Sequence, residues 1–174
     1  MSVVKDPGGA QAREETLVRL VDTYQAALVR TCFLCLGDRS LAEDAVQETF
    51  VKAYRSLESF RGECSERTWL VKIAMNVCRD LRRSAWWRFT DRRVTPEMLP
   101  ECAAPCSPQE SELTEAVLRL PVKMRETVLM YYYHGMTVTE IAQALGVRQS
   151  SVSGRLQRAR QKLRETLEGR DDDA

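Results

Sequence analysis

Arginine, glutamine and serine side chains that can contact DNA are concentrated near the C-terminus of the chain. Arginine and glutamine donate hydrogen bonds to base edges in the major groove, and arginine and serine also bind phosphate oxygens. The segment 147–164 contains six basic residues and no acidic residue, which favours a polyanionic partner. The candidate contacts are Arg148, Gln149, Ser151, Ser153, Gln157 and Arg158.

A helix-turn-helix pattern positions these side chains. Thr137 and Glu140 have the spacing of a capping box, which predicts a helix start, and Gly146 supplies the turn that ends this helix. The pattern predicts that the next helix is a recognition helix for the major groove of duplex DNA. The alternative is a helical scaffold with a solvated basic face. The apolar stripe of the second helix, opposite the candidate contacts, consists of Val152, Leu156, Ala159 and Leu163.

A second candidate nucleic-acid surface lies on a helix predicted from about Arg67 to Arg83. Its apolar residues share one face, and basic residues with an asparagine occupy the opposite face. Cations that hold phosphates, an amide that reads a base edge and rings that stack on bases suit a strand whose bases are splayed out. The alternative is a solvated helix whose tryptophan belongs to the core. The candidates are Lys72, Asn76, Arg79 and Arg83 on the polar face, Trp69 near its boundary, and Phe60 and Arg61 in the preceding loop.

The helical patterns predict an all-α fold with two small helical domains joined by a flexible linker. Apolar residues recur with helical spacing before residue 84 and after residue 108, and no window alternates as a strand does. Four prolines interrupt the intervening segment. In the first domain, the spacing of Ser40 and Glu43 predicts the start of the second helix. The predicted boundaries are a disordered arm at 1–11, a helical domain at 12–85, a linker at 86–108, a helix-turn-helix domain at 109–168 and an acidic tail at 169–174.

The six cysteines and the single histidine form no metal-binding pattern. Cys32 and Cys35 lie in an apolar helical run, which favours core positions over a metal or redox site. Cys102 and Cys106 lie in the proline-rich segment, where a metal or thiol-switch role has no second C-x-x-C or nearby histidine to support it. His134 precedes Gly135 at a predicted helix C-terminus, where a capping role suffices. No metal or cofactor is expected.

The motifs argue against an enzyme and against a membrane protein. The sequence contains no P-loop, nucleophile elbow or carboxylate pair, and a single histidine provides little general-base capacity. No apolar segment approaches the length needed to cross a bilayer, and the N-terminus lacks a signal-peptide core. We therefore expect a cytoplasmic protein without membrane insertion.

Two blocks of sequence resemble the bacterial sigma factors. DRSLAEDAVQETFVKAYRSLESFRGE, followed by RTWLVKIAMNVCRDLRR, resembles region 2 of these proteins. LPVKMRETVLMYYYHGMTVTEIAQALGVRQSSVSGRLQRARQKL resembles region 4. The order of the blocks, the linker between them and the missing region 3 are similar to the extracytoplasmic-function (ECF) group of the sigma-70 family.

The resemblance implies a subunit that binds core RNA polymerase and directs promoter-specific initiation. Region 2 would open the minus-ten element and capture a flipped base with Phe60, Arg61 and Asn76, while Lys72, Arg79 and Arg83 hold the backbone. Region 4 would read the minus-thirty-five element as duplex. The family's contact positions in region 4 are Ser153, Gly154, Gln157 and Arg158.

The resemblance also implies protein partners. The second helix would dock on the clamp helices of the polymerase β′ subunit, and contacts with the β flap are expected. An anti-sigma factor is expected to hold the protein inactive. The alternative function is an autonomous helix-turn-helix regulator, which would need a dimerisation or ligand domain. The predicted polymerase-binding residues are Asp44, Gln47, Glu48 and Lys52.

Overall fold

The computed structural model describes residues 7–83 and 108–171. These residues form seven α-helices and contain no strand, so the predicted all-α class is confirmed. Most of the predicted linker lies outside the described residues, as do Trp86, Trp87, Cys102 and Cys106. The helices are α1 (Pro7–Leu36), α2 (Arg39–Ser56), α3 (Glu66–Arg83), α4 (Pro108–Arg119), α5 (Val122–Val128), α6 (Val138–Leu145) and α7 (Gln149–Asp171).

The junction between α1 and α2 is fixed by a glycine and an aspartate. Gly37 has a φ of +72°, a conformation that ends a helix readily because glycine has no Cβ. The Asp38 carboxylate then accepts a hydrogen bond of 2.9 Å from the backbone N–H of Leu41 and caps α2. The predicted capping box of Ser40 and Glu43 is therefore wrong, because Asp38 occupies the N-cap position and starts the helix earlier.

The N-terminal helix differs from the prediction at its start. α1 begins at Pro7, within the segment 1–11 that was predicted as a disordered arm. The helical segment therefore reaches further towards the N-terminus than the apolar periodicity, which is clear only from about residue 17.

Helices α1, α2 and α3 pack around a shared apolar core. Phe33, Leu70 and Met75 are among its fully buried side chains. Cys32 and Cys35 are buried in this core, which confirms the prediction made from the apolar run. Burial raises the pKa of the Cys35 thiol well above its usual value, so this thiol stays protonated and behaves as an apolar group.

The second domain contains the helix-turn-helix in the predicted form. Thr137 Oγ1 accepts a hydrogen bond of 3.2 Å from the N–H of Glu140, and the Glu140 carboxylate accepts one of 2.9 Å from the N–H of Thr137. This is the predicted capping box. Gly146 follows α6 with a φ of +63°. Ahead of α6, a π-helical turn over Leu129–Tyr133 extends α5.

The two domains pack against each other. Their buried apolar residues form one continuous cluster, with α3 contacting α6 and α1 contacting α5. The boundaries proposed for the domains stay predictions. Among the described residues, no helix combines the length and apolarity that crossing a membrane requires.

Candidate nucleic-acid interface

The polar face of α7 is open to solvent. Val152, Leu156 and Ala159 are buried against the rest of the domain, and this fixes the orientation of the helix. The predicted contacts on the other side are exposed, except for the half-buried Gly154. The predicted recognition surface is therefore brought together on one face, next to the start of the helix. The exposed members are Arg148, Gln149, Ser151, Ser153, Gln157 and Arg158.

Gly154 leaves room for the side chain of Arg158. A Cβ added at Gly154 would lie 3.5 Å from Nη1 and 3.8 Å from Nη2 of Arg158, which is ordinary van der Waals contact. The guanidinium of Arg158 therefore lies over the glycine, one helical turn back along α7. The recognition face is flat at this point, with the cation on its surface.

The loop before α3 and the start of α3 itself present an aromatic pair. The rings of Phe60 and Trp69 are stacked, with centroids 4.5 Å apart and planes 17° apart. Both side chains are half-buried, and Trp69 also packs against the core. Arg61 on the loop and Asn76 on α3 are exposed. Asn76 lies seven residues after Trp69, so the two share one face of α3, and the loop and the helix present an aromatic pair, an amide and a cation.

Part of the predicted minus-ten surface is covered by the second domain. Arg79 donates hydrogen bonds of 3.3 and 3.2 Å to the carbonyl oxygens of Ala144 and Leu145 in the last turn of α6. These carbonyls receive no N–H donor within their own helix, and a cation at a helix C-terminus also interacts favourably with the helix dipole. The half-buried Lys72 contributes to lowering the pKa of Glu140, after the hydrogen bonds from Thr137. Two of the predicted minus-ten cations therefore face α6 in this structure.

Buried ionic contacts reinforce this packing. Arg82 on α3 forms an ion pair with Glu126 on α5, and their side chains are only 14% and 5% exposed. Arg125 donates 2.7 and 3.0 Å hydrogen bonds to the carbonyls of Leu34 and Leu120. The sequence did not predict the ion pair of Arg82 or the hydrogen bonds of Arg125, because helical periodicity does not show which residues pair between domains.

His134 joins the domains through Thr31. Its Nε2 lies 2.8 Å from the hydroxyl oxygen of Thr31. That hydroxyl donates to the carbonyl of Ala27, so its oxygen accepts the bond and Nε2 carries the proton. Burial, followed by the charge of Arg67, lowers the pKa of His134 to about 4, and Nδ1 is buried without a partner. His134 is the C-cap residue that was predicted, since its backbone N–H donates to the carbonyl of Leu129. Its imidazole has a second role, which the sequence did not indicate: it links the second domain to Thr31 of the first.

The predicted polymerase-binding residues share the outer face of α2. Asp44, Gln47 and Glu48 are exposed, and Lys52 is half-buried and lies 3.7 Å from Glu48. Next to them, a groove of about 910 Å³ runs between α1 and α2. This groove has an apolar floor that includes Phe50, with polar residues along its edges. A mixed surface of this kind suits a helical protein partner.

Comparison with known proteins assigns both domains. The family model for sigma-70 region 2 matches residues 20–88, and that for sigma-70 region 4 matches residues 110–163. The ECF RNA polymerase sigma factor SigL of Mycobacterium tuberculosis is 34% identical over 167 residues, covering 92% of this chain and 94% of SigL. SigW of Bacillus subtilis, also an ECF sigma factor, is 27% identical, covering 88% of this chain and 90% of SigW.

Solved structures show the same architecture. CnrH in complex with the cytosolic domain of CnrY matches with a TM-score of 0.63 and 26% identity, covering 92% of this chain and 94% of CnrH. The sigma factor RpoE of Bartonella quintana, solved with the anti-sigma factor NepR, matches in fold with a TM-score of 0.69 and 22% identity, over 88% of this chain and 98% of RpoE.

The fold and the exposed basic face define a two-domain helical protein built around a helix-turn-helix. The chain belongs to the sigma-70 family, among the ECF RNA polymerase sigma factors. It therefore directs core RNA polymerase to promoter DNA.

Proposed function

We propose that region 2 of this protein opens the minus-ten element and that region 4 reads the minus-thirty-five element as duplex. In region 2, Phe60, Arg61 and Asn76 take the flipped base, with Trp69 as the ring packed behind Phe60. In region 4, the exposed face of α7 enters the major groove. The observation that carries this proposal is the exposure of the polar face of α7 while its opposite side is buried.

The region 2 surface has the chemistry that base capture needs. Extruding a base costs a few kcal/mol, which stacking on an aromatic ring and hydrogen bonds to the base edge must offset. The Phe60 and Trp69 stack offers the ring, and the exposed Asn76 amide offers a donor and an acceptor. The backbone phosphates on either side would be held by Lys72, Arg79 and Arg83.

Polymerase binding is assigned to the outer face of α2. Asp44, Gln47, Glu48 and Lys52 would contact the β′ clamp helices, and region 4 would contact the β flap. The protein would act by binding, without catalysis of its own, and would work in the cytoplasm. CnrH was solved with the cytosolic domain of CnrY, and RpoE with the anti-sigma factor NepR; these complexes support control of this chain by an anti-sigma factor.

Engagement of a promoter requires the two domains to separate. The two elements are about 25 base pairs apart, which is roughly 85 Å of B-DNA at about 3.4 Å per base pair. A compact chain of this length has a radius of gyration of only about 16 Å. The packed arrangement, with Arg79 bound to α6, cannot place both faces on their elements at once. We assign it to the protein before it binds polymerase.

Run-off transcription tests the proposed function. Purified bacterial core polymerase is supplied with a library of promoter fragments, with and without the protein. Start sites that appear only with the protein, sharing two sequence elements, are the expected result. If polymerase gives no new start sites while the protein alone retards duplex DNA, the protein is an autonomous helix-turn-helix regulator instead.

A further inference from the structure

A cavity between the two domains is lined mainly by cations. Its volume is about 410 Å³, within the range of sites that hold small molecules. Helices from both domains contribute to it. The charged side chains that line it are Arg79, Arg82, Arg83, Lys123, Glu126 and Arg155.

The positive charge of this cavity is largely uncompensated. The carboxylate of Glu126 is engaged by Arg82. Arg83 has only a loose contact of 3.8 Å with Asp80, and both side chains are mostly exposed. The side chains of Lys123 and Arg155 form no ion pair or hydrogen bond with any residue that the structure describes. Five cations around one carboxylate leave an excess of four positive charges.

This excess opposes the packing that creates the cavity. Arg79 and Arg83 belong to α3 of the first domain, whereas Lys123 and Arg155 belong to α5 and α7 of the second. Closing the domains brings these like charges together, and opening them relieves the repulsion. A multiply charged anion between them would convert the repulsion into attraction on both sides.

We propose that the cavity binds a compact, multiply charged phosphate anion and that this ligand holds the two domains together. Arginine forks match phosphate oxygens in geometry as well as in charge. A chain of two or more phosphates carries the several negative charges that the cavity lacks. The volume admits a polyphosphate with or without a nucleoside attached.

Ligand binding and promoter binding would exclude each other. Arg79 and Arg83 line the cavity and also belong to the predicted minus-ten surface, so they cannot serve both partners at once. The ligand is therefore expected to keep the sigma factor inactive. This consequence rests on the proposed function, whereas the binding of the anion does not.

Calorimetric titration of the full chain with inorganic tripolyphosphate at low salt tests the site. The variant Lys123→Gln/Arg155→Gln removes two lining cations that are outside the proposed DNA contacts. The control variant Arg160→Gln/Lys162→Gln removes the same charge from exposed positions on α7. We expect the cavity variant to bind about tenfold or more weakly, because two charge-assisted contacts are lost, and the control to bind like the parent.

Two outcomes would overturn the site. One is the absence of binding to the parent chain, and the other is an equal loss of affinity in both double variants, which would indicate diffuse attraction to basic surface. The single variant Arg155→Gln repeats the comparison if the double variant is poorly folded by circular dichroism. Titration with ATP in parallel identifies the ligand class: tighter binding than tripolyphosphate assigns a nucleoside pocket, and equal binding assigns the phosphate chain alone.

Hydrogen exchange tests the coupling to domain closure. Tripolyphosphate should slow amide exchange in peptides covering 72–83 and 122–128 in the parent and in the control variant, and not in the cavity variant. Unchanged exchange in the parent, despite binding, would overturn the closure. Promoter binding by core polymerase with this protein, measured without nucleotides or tripolyphosphate, reports on the proposed function separately, so failure of one proposal is distinguishable from failure of the other.

Discussion

At the scale of single residues, Gly154 lies inside the recognition helix α7, among the proposed DNA contacts. Glycine weakens a helix interior because it loses the most backbone freedom on folding. The open surface around it accommodates a Cβ at ordinary contact distance from Arg158. The glycine therefore lowers helix stability although the position of the guanidinium does not require it.

Gly154→Ala should stabilise the protein by about 0.5–1 kcal/mol, because alanine restores helix propensity without a steric clash. Urea unfolding followed by circular dichroism measures the change. Ser153→Ala, on an exposed position of the same turn, serves as the control and should have a smaller effect. A destabilised Gly154→Ala protein would mean that the conformation of Arg158 requires the bare glycine.

Asn76→Ala should weaken promoter opening more than initial binding to duplex DNA. The exposed amide is proposed to contact the base only after it leaves the stack. Permanganate footprinting of the minus-ten element measures opening, and binding at a temperature that prevents opening measures the duplex step. Equal losses in both assays would remove Asn76 from the capture site.

Arg158→Ala should weaken the initial binding to duplex DNA more than promoter opening. Loss of one base contact in the minus-thirty-five element should weaken duplex recognition by about 1–3 kcal/mol, and a phosphate contact should give less. Competition between matched and mutated minus-thirty-five sequences separates the two cases. An unchanged affinity would show that Arg158 does not touch DNA.

At the scale of helices, local signals determined what could be predicted. The capping box of Thr137 and Glu140 and the turn at Gly146 depend on residues a few positions apart, and each was predicted correctly. The start of α2 was predicted wrongly because Asp38 and Ser40 are both good N-cap residues, and the sequence alone does not decide between them.

Contacts between helices of different domains could not be predicted. Arg82 and Glu126 are 44 residues apart, and Thr31 and His134 are 103 residues apart. Periodicity identifies which face of a helix is buried, but it does not identify the partner face. The sequence therefore located the DNA-binding candidates without indicating that Arg79 would be covered.

Arg82→Ala should destabilise the packed arrangement by about 3 kcal/mol, since it leaves a buried carboxylate without its cation. Urea unfolding of Arg82→Ala, Glu126→Ala and the double variant forms a double-mutant cycle. The double variant should recover part of the loss. Strictly additive losses would show that the pair does not couple α3 to α5.

At the scale of the whole molecule, the stability of the packing between the two domains should depend on pH through His134. Its pKa in the packed state is about 4, against an ordinary value of 6.5. Neutral His134 therefore contributes its full stabilisation of the packed state above pH 6.5. This stabilisation is lost as the pH falls towards 4, because the imidazole is protonated in the open state while it stays neutral in the packed state. The loss should reach roughly 2 kcal/mol between pH 7 and pH 5.

Hydrogen exchange of the peptide around Thr31, compared at pH 7 and pH 5 after correction for intrinsic exchange, measures this weakening. His134→Gln, whose amide can still donate to Thr31, lacks the titration and should show a smaller change. The same pH dependence in both proteins would mean that carboxylates between the two domains, and not His134, cause the weakening.

The π-helical turn at Leu129–Tyr133 holds one residue more than an α-helical turn would. Deleting one residue from it would return the turn to α geometry and leave the following chain in nearly the same rotational phase, because five residues in π geometry turn through about the same angle as four in α geometry. His134 would still face Thr31, and α6 would stay beside Arg79. The tyrosines of this turn are exposed, so the extra residue widens the solvent-facing side of the helix and the packing between the domains does not depend on it.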